Sequence, residues 1–221
     1  REVAGQIGKL IHAKRPNAGY FNYLHEHTDG IMSESNTAVS RPLPLWPYSA
    51  SDNVNRARNS QPGKMSVNLC MQFVDFPWRH STVPAPEIAA RLWQNIAQGG
   101  ALAFAINGTW DQPDSWGVEA ARPAFAWAAE QEARLARQTP AARVLLLNRG
   151  PQDNYRGLYR LLSEEHIPFV AASNLDWIGK RKFDLVISPD ADLRGLDSYI
   201  AEGGKVPVIG ASPGSPIVKG Y

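Results

Sequence analysis

The segment from Pro86 to Trp110 constrains the fold more than any other part of the chain. It predicts an amphipathic helix that ends at Gly99-Gly100, then an apolar strand over residues 101–106, then a polar and aromatic loop that reaches Trp110. An almost wholly apolar strand is typical of a parallel sheet that helices cover on both faces. In βα barrels the chemistry lies in the loop after such a strand. The segment therefore predicts an α/β enzyme scaffold.

The same order of strand, polar loop and helix recurs through residues 1–139. Strands are predicted at residues 18–24, 30–33, 65–73 and 101–106, and helices at residues 1–15, 51–59, 86–98 and 120–137. This order is typical of a right-handed parallel α/β structure. An open doubly wound sheet is the alternative, but no G-x-G-x-x-G sequence follows a strand to support a dinucleotide site. We therefore expect the C-terminal half of a (β/α)8 TIM barrel, whose first half would precede Arg1.

A second unit is predicted over residues 140–221. Strand patterns occur at residues 142–147, 167–172, 183–188 and 206–210, and helix patterns at residues 155–166 and 196–202. The alternation indicates a smaller flavodoxin-like α/β domain. Because the pattern stops before the remaining elements of such a domain, we expect an incomplete domain.

Composition and charge exclude several classes of function. Of the 221 residues, 43% are hydrophobic, which is enough to bury a sizeable core. The formal net charge of +2 gives no extended positive field for nucleic acid. Cys70 is the only cysteine and lies in an apolar stretch, so we expect a buried thiol and no intramolecular disulfide. No apolar run approaches the roughly 20 residues of a membrane span. We expect a soluble chain, cytoplasmic or exported, without nucleic-acid or membrane partners.

The leading candidate for catalysis is Glu34, which follows the second predicted strand. Ser35 and Asn36 flank it with hydrogen-bonding groups, and the aromatic Trp46 follows. A carboxylate in this setting suits acid, base or nucleophilic work on a sugar.

Glycosidic cleavage needs two carboxyl groups on opposite sides of the bond. Asp75, after the third strand, is the nearest candidate to act with Glu34. The alternative is an ion pair of Glu34 with Arg41 or Arg79 that holds loops together, because structural ion pairs also occur in clefts.

Aromatic and basic side chains follow the third and fourth strands: Trp78, Arg79, His80 and Trp110. Aromatic faces stack on sugar rings, and arginine binds hydroxyl or carboxylate groups. The alternative is ordinary packing, because large aromatic side chains are usually well buried. We expect Trp93 and Trp127, which lie on predicted helices, to belong to the core.

Residues 25–29, His-Glu-His-Thr-Asp, place several metal-binding side chains in a short stretch. In an extended segment alternate side chains share a face, so that His25 and His27 could converge. A zinc site would also need ligands from elsewhere. We therefore expect a solvated strand tip here, and no metal or other cofactor.

Taken together, several segments resemble the hypothetical glycosyl hydrolases and β-galactosidase-like enzymes. They are residues 32–36 (Met-Ser-Glu-Ser-Asn), the loop at residues 41–51, Trp78-Arg79, Gly99-Gly100 and the sheet pattern of residues 142–210. In this family a barrel precedes a glutamine-amidotransferase-like, trimerisation-type domain. The resemblance implies a sugar-cleaving barrel that uses glutamate carboxylates. It also implies a second domain for structure or assembly, and thus a homo-oligomer, either a dimer or a trimer.

The chain departs from the family pattern at the expected catalytic positions. The family takes one glutamate from the fourth barrel strand, which would precede Arg1, and its nucleophile from the seventh, where this chain has Gln72. Because an amide cannot act as a carboxylate nucleophile, Glu34 or Asp75 would have to take that role. The second unit also lacks a cysteine after its strands and cannot supply the thiol nucleophile of amidotransferases.

Two functions follow from these observations. The first is a retaining glycoside hydrolase that removes a terminal sugar, with Glu34 and Asp75 as catalytic carboxylates. Its sugar-binding residues would be Asn36, Trp46, Trp78, Arg79, His80 and Trp110. The alternative is a non-catalytic carbohydrate-binding or assembly protein with a degenerate barrel, which Gln72 favours. A carboxyl separation of about 5–5.5 Å would indicate a retaining pair.

Overall fold

The computed structural model describes residues 2–22, 27–37, 46–75 and 78–208. The chain divides into two compact units. The first unit comprises residues 1–54 and 63–139, and the second comprises residues 55–62 and 140–221. The sequence does not anticipate the assignment of residues 55–62 to the second unit, because they continue a helix that begins in the first. Among the helices of the described ranges, none combines the length and apolar character of a membrane span.

The first unit contains a parallel sheet of four strands. These are β1 (Phe21–Asn22), β2 (Gly30–Ser35), β3 (Met65–Met71) and β4 (Ala101–Ala105), and they lie side by side in chain order. The helices of this part of the chain are α1 (Glu2–Lys14), α2 (Ser49–Ser60), α3 (Ala85–Ala97), α4 (Trp116–Glu130) and α5 (Glu132–Leu135). The parallel sheet confirms the predicted α/β class. Closure into a barrel stays a prediction.

Helix α3 has the sequence signals of a well-defined start and stop. A proline lies in its first turn, where no backbone N–H donor is needed. At its end Gly99 adopts a φ of 75°, and the backbone N–H of Gly100 donates to the carbonyl of Asn95 at 2.8 Å. A Cβ at Gly100 would lie 2.7 Å from Val54 Cγ1, so the second glycine also permits close packing. The double glycine thus ends the helix and lets the chain enter β4.

The core of the first unit lies between α3, α4 and one face of the sheet. Cys70, Ile88, Leu92 and Ile96 are buried there, together with two alanines of α4. Burial raises the pKa of the Cys70 thiol to about 12, although the nearby Arg91 guanidinium lowers it. The thiol is therefore protonated at neutral pH, as expected for a core residue.

The second unit contains a three-stranded parallel sheet. Its strands are β5 (Val144–Leu147), β6 (Phe169–Ala172) and β7 (Leu185–Ile187), in the spatial order β6-β5-β7, with helices α6 (Gln152–Glu164) and α7 (Asp197–Ala201). Val208 forms a parallel bridge with Ser188, just after β7. In this sheet β5, the first strand along the chain, lies between β6 and β7, which is the strand order of a doubly wound sheet. The amidotransferase-like assignment and the domain roles stay predictions.

Side chains at the end of α2 help to hold β6 in this second unit. Asn55 Oδ1 accepts a hydrogen bond from the backbone N–H of Ala171 at 2.8 Å. Ser60 Oγ accepts one from the N–H of Ser173 at 2.7 Å. These bonds explain why residues 55–62 group with the second unit.

Several predicted element boundaries differ from the structure. The second strand extends to Ser35, so Glu34 lies inside β2 and not after it. The predicted helix over residues 120–137 begins earlier, at Trp116, and divides into α4 and α5 at Gln131. His25 and Arg41 lie outside the described residues.

The prediction that Trp93 and Trp127 belong to the core is wrong. They are 40% and 37% exposed, and their rings pack edge to face at a centroid distance of 5.5 Å. Each ring thus covers part of the other between α3 and α4 while keeping one side in water.

Two adjacent leucines of α6 test the packing of the second unit. Leu162 is 5% exposed, whereas Leu161 is 45% exposed. We expect Leu162→Ala to lower the free energy of unfolding by about 2–5 kcal/mol, because it leaves a cavity in the core. Leu161→Ala should change it by about 0.5 kcal/mol or less. Chemical denaturation of both variants measures the difference, and equal losses would contradict the burial of Leu162.

Candidate functional site

Glu34 occupies the face of the first sheet that points away from α3. Side chains along a strand alternate between faces, and Cys70 of β3 packs against α3. The register pairs Ser35 with Cys70 and Glu34 with Leu69. Glu34 therefore shares the opposite face with Leu69 and, in the next strand, Ala103.

Glu34 lies close to the carboxyl end of its strand. It is the next-to-last residue of β2 and is only partly buried. Asn36, directly after the strand, is partly buried as well. In (β/α) barrels the ends of the strands at this edge supply the catalytic side chains.

Asp75 lies in the loop that follows β3, at the same edge of the sheet. Its backbone carbonyl accepts a hydrogen bond from the N–H of Trp78 at 2.8 Å, and the Trp78 carbonyl accepts one from Ser81 at 3.0 Å. Trp78 is 56% exposed, and Arg79 and His80 are exposed beside it. The structure thus places all four predicted residues of this loop at one strand end, with three side chains in water.

The loop after β4 presents a second group of candidate residues. Trp110 is 74% exposed and Trp116, at the start of α4, is 76% exposed. A hydrogen bond from Thr109 is the main cause of the lowered pKa of Asp111. Asp111 is therefore an ionised carboxylate at this edge, in addition to the predicted Asp75.

Asp114 connects the two loops. Its Oδ2 accepts a hydrogen bond from the backbone N–H of Thr82 at 3.0 Å, and its carbonyl accepts from Gln72 Nε2 at 3.2 Å and from Gln112 Nε2 at 3.0 Å. These bonds hold the loop after β4 against the loop after β3. The tryptophans of the two loops are thus carried by a connected framework.

Gln72, which stands where the resemblance expects a nucleophile, has a structural environment. It is 3% exposed, and its Nε2 donates to Thr82 Oγ1 at 3.2 Å as well as to the Asp114 carbonyl. A Cβ on Gly117 would lie 2.7 Å from Gln72 Cγ, so the start of α4 packs directly on this side chain. Gln72 Oε1 finds no hydrogen-bond partner in the described ranges. The amide therefore supports the loops.

Trp46 is fixed by its neighbours at the start of α2. Its Nε1 donates to Asp52 Oδ2 at 3.3 Å, and its ring lies edge to face with that of Tyr48 at 5.2 Å. The Asp52 side chain that accepts this hydrogen bond is buried. Trp46 is partly buried and keeps some surface for a ligand.

The predicted solvated strand tip is described only from His27 onward. Asp29 Oδ2 accepts hydrogen bonds from the N–H of Tyr20 at 2.7 Å and from His12 Nε2 at 2.9 Å. The bond from Tyr20 is the largest cause of the lowered pKa of Asp29. The ring of His27 packs against Gly5 of α1. Over the described residues no cluster of three or more metal-binding side chains occurs.

Sequence reasoning missed a group of amide side chains behind β2, of which Asn68 and Asn95 are buried and Asn53 is partly buried. Asn68 forms hydrogen bonds with Asn53, with Asn95 and with the two serines that flank Glu34. The signal was Asn68 itself, a polar residue in the middle of the mostly apolar β3.

The fold of this chain is similar to that of a solved enzyme structure. Alpha-L-fucosidase isoenzyme 2 from Paenibacillus thiaminolyticus matches 93% of the chain with a TM-score of 0.69 and 18% sequence identity. The chain spans 34% of that protein's length. No family model matches the chain, and no curated protein is significantly similar to it. The comparison shows an α/β fold shared with part of that protein, and the glycosyl hydrolase and β-galactosidase-like assignments stay predictions.

Replacing Gln72 by glutamate tests its structural role. Gln72→Glu removes the two Nε2 bonds and sets a carboxylate against the Asp114 carbonyl, a loss of about 1–3 kcal/mol or more. Burial would raise the pKa of the new carboxyl above its unfolded value of about 4.3. Stability is then retained below that value and lost as pH rises through the folded pKa. We expect a larger drop in melting temperature at pH 7 than at pH 4.

The matched control is Gln6→Glu on the exposed side of α1. Thermal unfolding of both variants at the two pH values makes the comparison. A Gln72→Glu protein as stable as Gln6→Glu at pH 7 would contradict the structural role.

Proposed function

We propose that this chain carries part of the active site of a glycoside hydrolase, with Glu34 as one of its catalytic carboxylates. The observation that supports the proposal is the placement of Glu34. It lies near the carboxyl end of a parallel strand, on the face away from α3, and its neighbours across the sheet are apolar or small. This edge is where parallel α/β enzymes bind their substrates.

The surroundings suit a sugar. Trp78 and Trp110 expose their rings on the loops after β3 and β4, and exposed aromatic faces stack on the C–H surfaces of sugars. Arg79 and His80 add hydrogen-bond donors on the first of these loops. The fold shared with the alpha-L-fucosidase of Paenibacillus thiaminolyticus supports the same class of reaction.

Glu34 is assigned the nucleophile and Asp75 the acid and base of a retaining mechanism. The Glu34 carboxylate attacks the anomeric carbon, and the aglycone oxygen takes a proton from Asp75 as the glycosidic bond breaks. Water then gives a proton to Asp75 and displaces Glu34, which releases the sugar with its original configuration. Asp111 also lies at this edge, but the hydrogen bond from Thr109 lowers its pKa and so disfavours the protonated form that a general acid needs.

A non-catalytic carbohydrate-binding protein is the second candidate. Gln72 favours it, because an amide stands where the related enzymes carry a nucleophile. The exposed tryptophans would serve sugar binding equally well without catalysis. The two candidates differ in whether the Glu34 carboxylate is needed for bond cleavage.

Hydrolysis of a panel of aryl glycosides, including β-galactosides and α-L-fucosides, by the full chain and its Glu34→Gln variant tests the proposal. Glutamine has nearly the same shape but cannot attack or exchange a proton. We expect the variant to lose about 10²–10⁴-fold in kcat on the substrate that the wild type cleaves. The configuration of the first-formed sugar, observed by NMR, tests retention.

Glu132→Gln is the matched control, because Glu132 is exposed on α5. Equal activity of the Glu34→Gln variant and the wild type would move catalysis to other carboxylates. Absence of cleavage by the wild type, with sugar binding retained, would favour the non-catalytic protein.

Alanine at Trp110 tests the aromatic contribution. We expect Trp110→Ala to raise KM or the sugar Kd by about 10- to 150-fold, which corresponds to the roughly 1.5–3 kcal/mol gained when a large apolar side chain is buried. Trp93→Ala is the control, because Trp93 also has exposed surface but packs on Trp127 between helices. Equal effects of the two substitutions on sugar affinity would argue against a sugar contact at Trp110.

A further inference from the structure

A cluster of uncharged polar side chains, three of them buried and two partly buried, lies between β2, β3, α2 and α3. Its members are Ser33, Ser35, Asn53, Asn68 and Asn95. Asn68 is fully buried at the centre. Its Oδ1 accepts from Asn53 Nδ2 at 2.9 Å and from the hydroxyls of Ser33 and Ser35 at 3.3 and 3.2 Å. Its Nδ2 donates to Asn95 Oδ1 at 3.0 Å, and Asn95 Nδ2 returns a bond to the Asn68 carbonyl at 3.0 Å.

The cluster surrounds the backbone of one residue, Glu34. Ser33 and Ser35 precede and follow it, and both direct their hydroxyls to Asn68. Asn53 Nδ2 also donates to the main-chain carbonyl of Glu34 at 2.9 Å. The strand is therefore held on both sides of Glu34 and at Glu34 itself, all from the face opposite its carboxylate.

Stability alone does not require polar groups at this place. The neighbouring part of the same face packs Cys70, Ile88 and Leu92 in an apolar core. A buried hydrogen bond contributes only about 1 kcal/mol net, because the same groups bond to water in the unfolded chain. Hydrogen bonds differ from apolar packing in that they depend on the relative orientation of donor and acceptor. They fix the register and orientation of β2, and a slip of one residue would turn Glu34 toward α3.

We propose that Asn53 and Asn68 are positioning residues that hold the Glu34 carboxylate in its working orientation through the backbone of β2. The inference rests on the proposed function in that Glu34 is the group being positioned. Asn53 supplies the bond to the Glu34 carbonyl, and Asn68 joins Asn53 to both flanking serines. Catalytic groups held in place by such a supporting layer lose rate when the layer is removed, because misplacement of about 1 Å costs up to a hundred-fold.

Asn53→Ala is the test, with Asn59→Ala as its control. Asn59 is also an asparagine of α2 and is more deeply buried than Asn53, but its Nδ2 bonds to Asn55 within the helix. We expect Asn53→Ala to lower kcat by about 10- to 100-fold with KM changed less than about threefold. Asn59→Ala should lower the melting temperature while leaving kcat near the wild-type value. Equal losses of kcat in the two variants would overturn the positioning role.

A second readout does not depend on hydrolysis. With 13C-labelled glutamate, the carboxyl resonance of Glu34 is identified as the signal that disappears in Glu34→Gln. We expect this resonance to move in Asn53→Ala and to stay in place in Asn59→Ala. If the wild type cleaves no glycoside, the proposed function fails, and the movement of this resonance still decides the positioning role. An unmoved resonance in Asn53→Ala would overturn it.

Ser33→Ala provides a milder variant if Asn53→Ala does not fold. It removes one hydroxyl from Asn68, and its control is Ser66→Ala, since Ser66 Oγ is buried in β3 with no hydrogen-bond partner in the described part of the chain. The same direction of change is expected in Ser33→Ala, at a few-fold in kcat. No difference between the two serine variants in either kcat or the Glu34 resonance would contradict the proposal.

Discussion

The parallel pairing of β2 with β3 determines which side chains each face of the first sheet presents. It sets Glu34 opposite Leu69 and Ser35 opposite Cys70. Because side chains alternate along a strand, this one register sends the serines and Cys70 toward α3 and leaves the carboxylate on the other face. A shift by one residue would bury Glu34 among the aliphatic side chains of α3, where an ionised carboxylate is strongly disfavoured. The buried amides and the candidate site are thus two consequences of one strand pairing.

Much of this arrangement follows from the sequence, but not all of it. The apolar runs predict the strands, because such runs are buried in a parallel sheet. The double glycine predicts the end of α3, because a glycine readily adopts the positive φ that ends a helix. The pattern did not reveal the role of Asn68, since one polar residue in an apolar strand does not name its partners, which come from two helices distant in sequence. The tryptophan pair Trp93 and Trp127 was misjudged for a related reason. The hydrophobicity of the two rings predicts that each packs against another side chain. Here the two rings pack against each other and both stay partly exposed to water.

Gln72 illustrates how local hydrogen bonds can suit a position to one type of side chain. Its Nε2 donates to Thr82 Oγ1 and to the Asp114 carbonyl, and Gly117 leaves the space for it under α4. A carboxylate cannot donate the bonds that the two acceptors require. The environment around Gln72 is therefore adapted to an amide. The carboxylates proposed for catalysis, Glu34 and Asp75, lie at other positions of the same edge.

The loops give a further reason to assign binding to this edge. Asp114 joins the loop after β3 to the loop after β4, and yet Trp78, Trp110 and Trp116 on these loops remain more than half exposed. Ordering a loop costs conformational entropy. Exposed indole rings offset little of this cost, because they bury little apolar surface. Ordered loops with exposed aromatic rings are expected where the rings become covered by a ligand. This argument supports sugar binding whether or not Glu34 is catalytic, so the carboxylate alone separates a hydrolase from a binding protein.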